Sequence, residues 1–197
     1  MASILKVDKI RGTGLDSDTI SLDGTGNITI PKNVTFSGSL TSSQTLSAPG
    51  HVIQVVNGGT GVMTRTATTS STYVATAINA SITPKFANSL ILPHFVTTAN
   101  TNQSNGSGEG LIYTLFRKIG SGSFTELSTG SQGIGQLYST YSRTHSSITA
   151  SKFDTPNTTE QVEYKVYMKR IGSAASVEIP ATANVEHAVL AIFEIAQ

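Results

Sequence analysis

The chain has 197 residues, of which only 13% are charged, and its net charge at pH 7 is +1. Nucleic-acid-binding domains normally carry a basic stripe, so this scattered and balanced charge argues against a nucleic-acid partner. Cysteine is absent, which excludes disulfide staples and thiolate chemistry and leaves strand packing or oligomerisation to stabilise the fold.

The N-terminus has neither the pattern of a signal peptide nor that of a membrane anchor. Lys6, Asp8, Lys9 and Arg11 interrupt the aliphatic residues of this segment, whereas a signal peptide needs a continuous apolar stretch. No later run approaches the ~18 apolar residues that span a bilayer. We therefore expect a protein made in a cytoplasm, without membrane insertion, that leaves the cell by lysis if it acts outside it.

Residues 1–48 have the pattern of a stalk made of very short strands. Apolar residues alternate in pairs, such as Ile20 with Leu22, and glycine, asparagine and aspartate separate the pairs. Such pairs between turn residues indicate short β-strands. A lone hairpin is marginally stable in water, so we expect other copies of the chain to cover these strands around a shared axis. A polar connector at residues 40–46 and a turn at Pro49 and Gly50 end the segment.

Residues 49–197 have the pattern of an all-β head, because no window shows an apolar period of 3.6 residues. The clearest alternation places Val162 and Tyr164 inward and Glu163 and Lys165 outward. Short strands separated by glycine, serine and asparagine loops are typical of a jelly roll or a related β-sandwich. The predicted strands are 51–56, 72–78, 90–97, 111–118, 124–127, 135–141, 162–170, 177–179 and 187–196.

The last predicted strand is apolar on both faces. A two-residue period separates the residues at 189, 191, 193 and 195 from those at 190 and 192. A sandwich covers one face of a terminal strand, so we expect the other face to line the threefold contact of a homotrimer. The predicted trimer interface comprises Val189, Leu190, Ala191, Ile192, Phe193 and Ile195.

Five short motifs stand out along the chain. They are Ser-Ile-Leu-Lys-Val-Asp-Lys-Ile at 3–10, Val-Ile-Gln-Val-Val at 52–56, Asn-Gly-Gly-Thr-Gly at 57–61, Ile-Thr-Pro-Lys with Asn-Ser-Leu-Ile-Leu at 82–92, and Ala-Ile-Phe-Glu-Ile-Ala at 191–196. Together they resemble small structural proteins of tailed bacteriophages, especially those of aquatic and cyanobacterial hosts. Similar proteins are labelled tail-fibre-like or head-decoration proteins.

This resemblance covers most of the chain in outline and implies a place on the virion surface. It implies a homotrimer, made in the host bacterial cytoplasm, with an N-terminal attachment segment. It also implies a C-terminal jelly roll similar to the trimeric heads of the complement and tumour-necrosis-factor type. The implied partners are the major capsid protein or the tail and baseplate, and the family offers no fixed catalytic set.

Candidate metal ligands have unsuitable spacing. Asp18 falls where a glycine-aspartate calcium repeat needs an aliphatic residue, so we interpret Asp16, Asp18 and Asp23 as turn formers. A threefold axis could gather one histidine from each chain into an ion site. Within one chain, however, we expect no metal and no cofactor, because the histidines are never at a close ligand spacing. They are His51, His94, His145 and His187.

The sequence offers no catalytic set. A glycosidase needs two carboxylates roughly 5 to 9.5 Å apart, and the acidic residues of the head are mostly isolated in sequence. Serine is abundant, but no Gly-x-Ser-x-Gly elbow leads into a helix. The glycines of residues 106–110 lack the helix N-terminus that a phosphate loop needs. We therefore expect a protein that is not an enzyme.

Glycan binding is the alternative function. Tyr138, Tyr141, Arg143 and His145 alternate with serine and threonine in a loop-rich segment, and such side chains can stack on or hydrogen-bond a sugar. The two tyrosines could instead pack a sandwich edge or a subunit contact, and the absence of tryptophan favours this second interpretation. The sequence thus predicts a trimeric capsid decoration or cement protein or a short fibre, with a host-receptor-binding fibre tip as the alternative.

Overall fold

The structure is a computed structural model that describes residues 9–10, 20–22, 28–29, 48–58, 63–102, 109–173, 176–182 and 186–197. The chain divides into two compact units, Met1–Gln44 and Thr45–Gln197. The predicted connector at 40–46, the three aspartates Asp16, Asp18 and Asp23, and residues 106–108 of the glycine-rich segment lie outside the described residues.

The N-terminal unit contains a small antiparallel sheet. Its strands are β1 (Lys9–Ile10), β2 (Ile20–Leu22) and β3 (Ile28–Thr29), in the order β1-β2-β3. Ile10 lies opposite Ile20, and Leu22 lies opposite Ile28. Very short strands therefore form where the sequence alternates in apolar pairs.

The described part of the C-terminal unit is built from strands, and no helix in it is long and apolar enough to cross a membrane. The strands are β4 (Val52–Gly58), β5 (Thr66–Thr68), β6 (Val74–Ile82), β7 (Leu90–Asn102), β8 (Glu109–Ile119), β9 (Thr125–Glu126), β10 (Gly135–Ser139), β11 (Arg143–Ser151), β12 (Val162–Ile171), β13 (Ser176–Ile179) and β14 (Val189–Ile195).

Two antiparallel sheets form a sandwich. In the first sheet, β7 has β11 on one side and β14 followed by β4 on the other. β14 pairs with residues 90–96 of β7, and β13 pairs with residues 100–102 of β7 on the same side. β5 pairs with the other side of β13. The second sheet has the order β6-β12-β8-β10, with β9 also paired to β8. Along the chain, β4, β6, β7 and β8 alternate between the sheets, β10 stays beside β8 in the second sheet, and β11, β12 and β14 alternate again. This order is that of a jelly roll and confirms the predicted all-β sandwich.

The core lies between the sheets and follows the two-residue period of the strands. On β12, Val162, Tyr164, Val166 and Met168 are fully buried, and the residues between them are partly exposed. They meet buried residues of the first sheet, among them Phe95, whose ring packs edge-on to Tyr113 at 5.7 Å. The alternation predicted for this strand is confirmed.

Asp154 ties the two sheets together. Its backbone exchanges two hydrogen bonds of 2.8 Å with Ile91 of the first sheet. Its carboxylate accepts hydrogen bonds of 2.7 Å from Arg117 and from the hydroxyl of Tyr164, both on the second sheet. Burial, followed by the charge and hydrogen bond of Asp154, raises the pKa of Tyr164 far above its ordinary value. The phenol therefore stays protonated and acts as a donor inside the core.

Two strands have no counterpart among the predicted elements. β5 is only 3 residues long, and β11 lies where the sequence suggested a loop-rich segment. Along β11 only Ile148 is a fully buried apolar residue, and serine and threonine fill most other positions. The apolar alternation that identifies a strand is therefore too weak to find β11.

A pair of buried threonines yields a stability prediction. The hydroxyl of Thr97 is buried and has no hydrogen-bond partner among the described residues, whereas the hydroxyl of Thr76 donates to the Val166 carbonyl at 2.8 Å. An unpaired buried polar group costs about 1 to 3 kcal/mol. Thr97→Val should therefore raise the melting temperature by a few degrees, and Thr76→Val should lower it, in calorimetry of both variants. Equal destabilisation of the two would contradict this assignment.

Candidate functional site

The outer surface of the first sheet carries a continuous apolar area. Residues directly opposite each other on antiparallel strands share one face, and Phe193 of β14 lies opposite both Val55 of β4 and Leu92 of β7. Val189 lies opposite Val96 in the same way. We call this surface the apolar face, and it consists of Val52, Val55, Leu90, Leu92, Val96, Val189, Ala191, Phe193 and Ile195.

The apolar face is open to solvent in the single chain. Val52 and Val55 are each 54% exposed and Val96 is 43% exposed. No lysine, arginine, aspartate or glutamate stands among the outward residues of these three strand segments, where the polar members are Asn57 and His94. Contiguous exposed apolar surface marks an interaction site more often than a solvated one.

The outer surface of the second sheet is covered by its own side chains. Phe116 and Tyr167 stack with ring centroids 4.0 Å apart. The amino group of Lys169 lies 4.4 Å from the ring centroid of Tyr73, and that of Lys118 lies 5.1 Å from the ring centroid of Phe124. Long lysine side chains thus cover the aromatic rings and keep their charges in water. The two outer surfaces of one sandwich therefore differ, and only the first presents uncovered aliphatic residues over several strands.

The residues of the predicted trimer interface lie on two different faces of β14. Leu190 and Ile192 point inward and are fully buried in the core of a single chain, so they are not available to a partner. Val189, Ala191, Phe193 and Ile195 are partly exposed on the apolar face. This second group is the part of the predicted set that another molecule can contact.

A polar cluster centred on Glu186 borders the apolar face. One carboxylate oxygen of Glu186 accepts hydrogen bonds from Thr98 at 2.7 Å and from the Thr182 amide at 2.5 Å. The other pairs with Nε2 of His145 at 2.8 Å. Burial alone would raise the pKa of Glu186, but the bonds from Thr98 and Thr182 and the charge of His145 together hold it below its ordinary value. This cluster fastens the connection before β14 onto β7 and β11.

A second carboxylate is held nearby on the same sheet. Glu178 of β13 accepts hydrogen bonds from Asn100 at 3.0 Å and Asn102 at 3.2 Å, both on β7. Arg65 approaches it at 3.3 Å, and Arg143 donates to the Asn100 side chain at 3.3 Å. These contacts join β13, β7 and β11, and every charge among them has a partner. These hydrogen bonds and the ion pair therefore hold the three strands together.

Glu194 is a buried carboxylate that the sequence interpretation did not single out. It lies on the core side of β14 and is fully buried. It accepts hydrogen bonds from the Lys85 amide at 2.7 Å, the Ser89 hydroxyl at 2.7 Å and the Gln54 side chain at 2.5 Å. Its donors come from β4 and from the loop between β6 and β7, so Glu194 holds that loop against the sheet.

The residues predicted as a glycan-binding surface are divided between the two sheets. Tyr138 lies on β10 of the second sheet, beside Gly110, and Arg143 and His145 lie on β11 of the first sheet. Tyr138 and Tyr141 are 56% and 76% exposed, and Tyr141 stands in the short connection between the two strands. Since β10 and β11 belong to different sheets, outward side chains on them face opposite sides of the sandwich.

The described residues contain no group of three or more histidine, aspartate or glutamate side chains that could hold a metal ion. His94 lies outward on β7, His145 pairs with Glu186, and His51 and His187 are exposed. Burial, followed by the charge of Glu126, raises the pKa of Tyr73 to about 12. This phenol is therefore neutral at physiological pH and is not activated as a base.

Comparisons with known proteins give matches among solved structures alone. No protein-family model matches the chain, and no curated protein matches it. A structure of infectious bursal disease virus, Gt strain, aligns with 91% of this chain at 9% identity and a TM-score of 0.39. The Gx strain aligns with 85% at 9% identity and 0.38. The D431N mutant VP2 protein of this virus, in T=1 particles, aligns with 83% at 9% identity and 0.39. The chain spans 47%, 46% and 40% of those chains.

The Glu186 cluster predicts a defined pH dependence. Because the pKa of Glu186 is lower in the folded chain than its ordinary 4.5, the unfolded state binds more protons as the pH falls. The stabilisation is thus complete above that ordinary value and is lost as the pH falls through the folded pKa. In urea unfolding, Glu186→Gln should be less stable than the wild type at pH 7, and the difference should shrink at pH 3.

Thr98→Val serves as a second variant, because it removes one of the bonds that lower the pKa of Glu186. It should reduce stability at pH 7 by less than Glu186→Gln does. A difference between wild type and Glu186→Gln that stays the same at both pH values would contradict the role given to this carboxylate.

Proposed function

We propose that this chain is a non-enzymatic structural protein of a bacteriophage virion surface, assembled as a homotrimer that decorates and cements the capsid. The observation that carries the proposal is the apolar face, which the single chain leaves uncovered. Aliphatic side chains contributed by β4, β7 and β14 are stabilised when a partner removes them from water, by roughly 25 cal/mol for each Å² buried. The jelly roll supplies a rigid frame that presents these side chains together.

The absence of charge on the apolar face supports its use as the trimer contact. Residues close to a threefold axis meet their own copies, so like charges there would oppose association. On the apolar face the outward residues of the three strand segments include no lysine, arginine, aspartate or glutamate. The other outer surface carries Lys118, Lys165 and Lys169 together with Glu163, which pairs with Lys118 and Lys165. Self-association there would remove these charges from water, which costs free energy. The apolar face is the better surface for a homotypic contact.

The remaining features support a structural role. The carboxylates of Glu178, Glu186 and Glu194 are each engaged by several donors that join separate strands. Carboxylates used in this way position the backbone and are not free to exchange protons with a substrate. The glycan-binding alternative is less favoured, because Tyr138 and the pair Arg143 and His145 lie on different sheets. In this proposal the N-terminal segment attaches the head to the major capsid protein.

Light scattering of the purified chain tests the oligomer directly. The wild type should have three times the mass of the 20.6 kDa chain, because the apolar faces associate. Val55→Lys places a charge on that face and should give a monomer with an unchanged circular dichroism spectrum. Tyr138→Lys is the matched control, since Tyr138 is 56% exposed and Val55 is 54% exposed, and it should remain a trimer. A wild-type monomer at micromolar concentration would refute the trimer.

Copy number on purified virions tests the place on the particle. Quantitative mass spectrometry should find the chain in proportion to the capsid subunits if it decorates the shell. A copy number matching tail components would instead identify a short fibre and contradict the decoration role. A glycan array tests the alternative function. Specific binding of a sugar by the wild type would favour a receptor-binding fibre tip.

A further inference from the structure

The exposed sheet edges of the jelly roll are unequally protected. An edge strand presents a row of backbone N–H and C=O groups that can pair with another chain, and proteins block such edges with short strands, charges, proline or bulges. In the described part of the head, the first sheet ends at β4, β5 and β11, and the second sheet ends at β6 and β10.

Four of these edges carry such protection. β5 and β10 are short, with 3 and 5 residues. The pairing of β4 with β14 is irregular between Glu194 and Ile195, and that of β6 with β12 is irregular between Lys165 and Tyr167. β4 and β6 also approach each other so closely that a Cβ added at Gly58 would collide with β6. An added strand has little access on that side of the sandwich.

β11 is longer than β5 and β10, is paired without a bulge, and carries charge only near its beginning. It has 9 residues and pairs with β7 in unbroken register from Arg143 to Ser151. It contains no proline, lysine, aspartate or glutamate, and its charged side chains, Arg143 and His145, stand at its beginning. Among the described residues, no backbone hydrogen bond of residues 143–151 reaches any strand other than β7. Within the described part of the chain, no strand pairs with the edge of β11 that faces away from β7.

We propose that β11 pairs with β11 of a second copy of this chain, in antiparallel orientation about a twofold axis at Ser147. The two first sheets would then form one continuous sheet across the contact. The pairing itself does not require a trimer, but its use rests on the proposed function: a twofold contact at this edge joins one trimer to another, which a capsid decoration uses and a fibre tip does not need.

The sequence of β11 fits its own copy in this orientation. About an axis at Ser147, Arg143 of one chain lies opposite Ser151 of the other, and His145 lies opposite Thr149. Parallel pairing in register would instead place Arg143 opposite Arg143, and like charges directly opposite each other are destabilising. Between the ends of the strand the facing residues are serine, threonine, isoleucine and alanine, which are small enough to pair without steric conflict. Antiparallel self-pairing is thus compatible with both charge and size.

This contact is weaker than the one at the apolar face. Outward residues near its centre are Ser147 and Thr149, so pairing buries little aliphatic surface. It gains mainly backbone hydrogen bonds, whose net contribution is small because they replace hydrogen bonds to water. The edge contact should therefore form at high local concentration, such as that on a particle. The trimer should already form in dilute solution.

Disulfide trapping tests the pairing, because the chain has no cysteine and an introduced thiol is unique. Cα atoms directly opposite on antiparallel strands are about 4.5 or 5.5 Å apart, which lies within the usual disulfide range of about 4.4 to 6.8 Å. Under mild oxidation, concentrated Ser147→Cys should form a linked pair of chains on a non-reducing gel. Ser121→Cys, exposed in the turn after β8, is the control. Linking of Ser147→Cys no faster than the control would overturn the proposal.

Light scattering over a concentration series separates this proposal from the trimer. The wild type should pass from trimers to hexamers and larger assemblies as concentration rises, and Ser147→Lys should remain a trimer because two lysines would meet at the axis. A trimer of constant mass would overturn edge pairing and leave the proposed function intact. A monomer that becomes a dimer, and is blocked by Ser147→Lys, would support edge pairing and refute the trimer. Concentration-dependent association that Ser147→Lys retains would assign the contact to another surface and overturn the proposal.

Discussion

Strand β14 is apolar on both faces, and the sandwich covers only one of them. Leu190 and Ile192 fill the core between the sheets, and β14 lies in the middle of the first sheet, between β4 and β7. This position turns Val189 and Phe193 outward beside Val55 and Val96. The same strand that completes the core therefore creates the apolar face, and the need to cover that face is the physical reason for the proposed assembly.

Two buried or partly buried carboxylates of the head hold the chain at the two ends of β14. Glu194 lies on the core side of β14 and holds the loop between β6 and β7 through the Lys85 amide and the Ser89 hydroxyl. Glu186 holds the connection before β14 against β7 and β11. Both carboxylates fix backbone segments at the ends of β14, so the apolar face is a preformed surface. Association then needs little ordering of the chain, which favours tight contacts.

The sequence predicts the sandwich well, because its longest strands alternate clearly. β12 shows the alternation at Val162 and Tyr164, and the two-sided β14 is equally clear. β11 was not predicted, because serine and threonine occupy most of its positions and leave no apolar alternation. The strand is defined by its pairing with β7, which the sequence does not reveal. The roles of Glu186 and Glu194 also could not be predicted, since most of their partners are distant in sequence and meet only in the fold. The predicted grouping of Tyr138 with Arg143 spans both sheets, because the strands before and after residues 140–142 belong to different sheets.

Carbene footprinting of the unmodified protein tests the central claim most directly, because it reports the exposure of aliphatic side chains without any substitution. If the apolar face is the contact between copies, labelling of Val55 and Val96 should be strongly reduced in the assembled protein, whereas Tyr141, which is 76% exposed, should be labelled fully. Labelling should rise at these valines when dilution separates the subunits. Labelling of Val55 and Val96 in proportion to their 54% and 43% exposure in a single chain, at every concentration, would contradict the account.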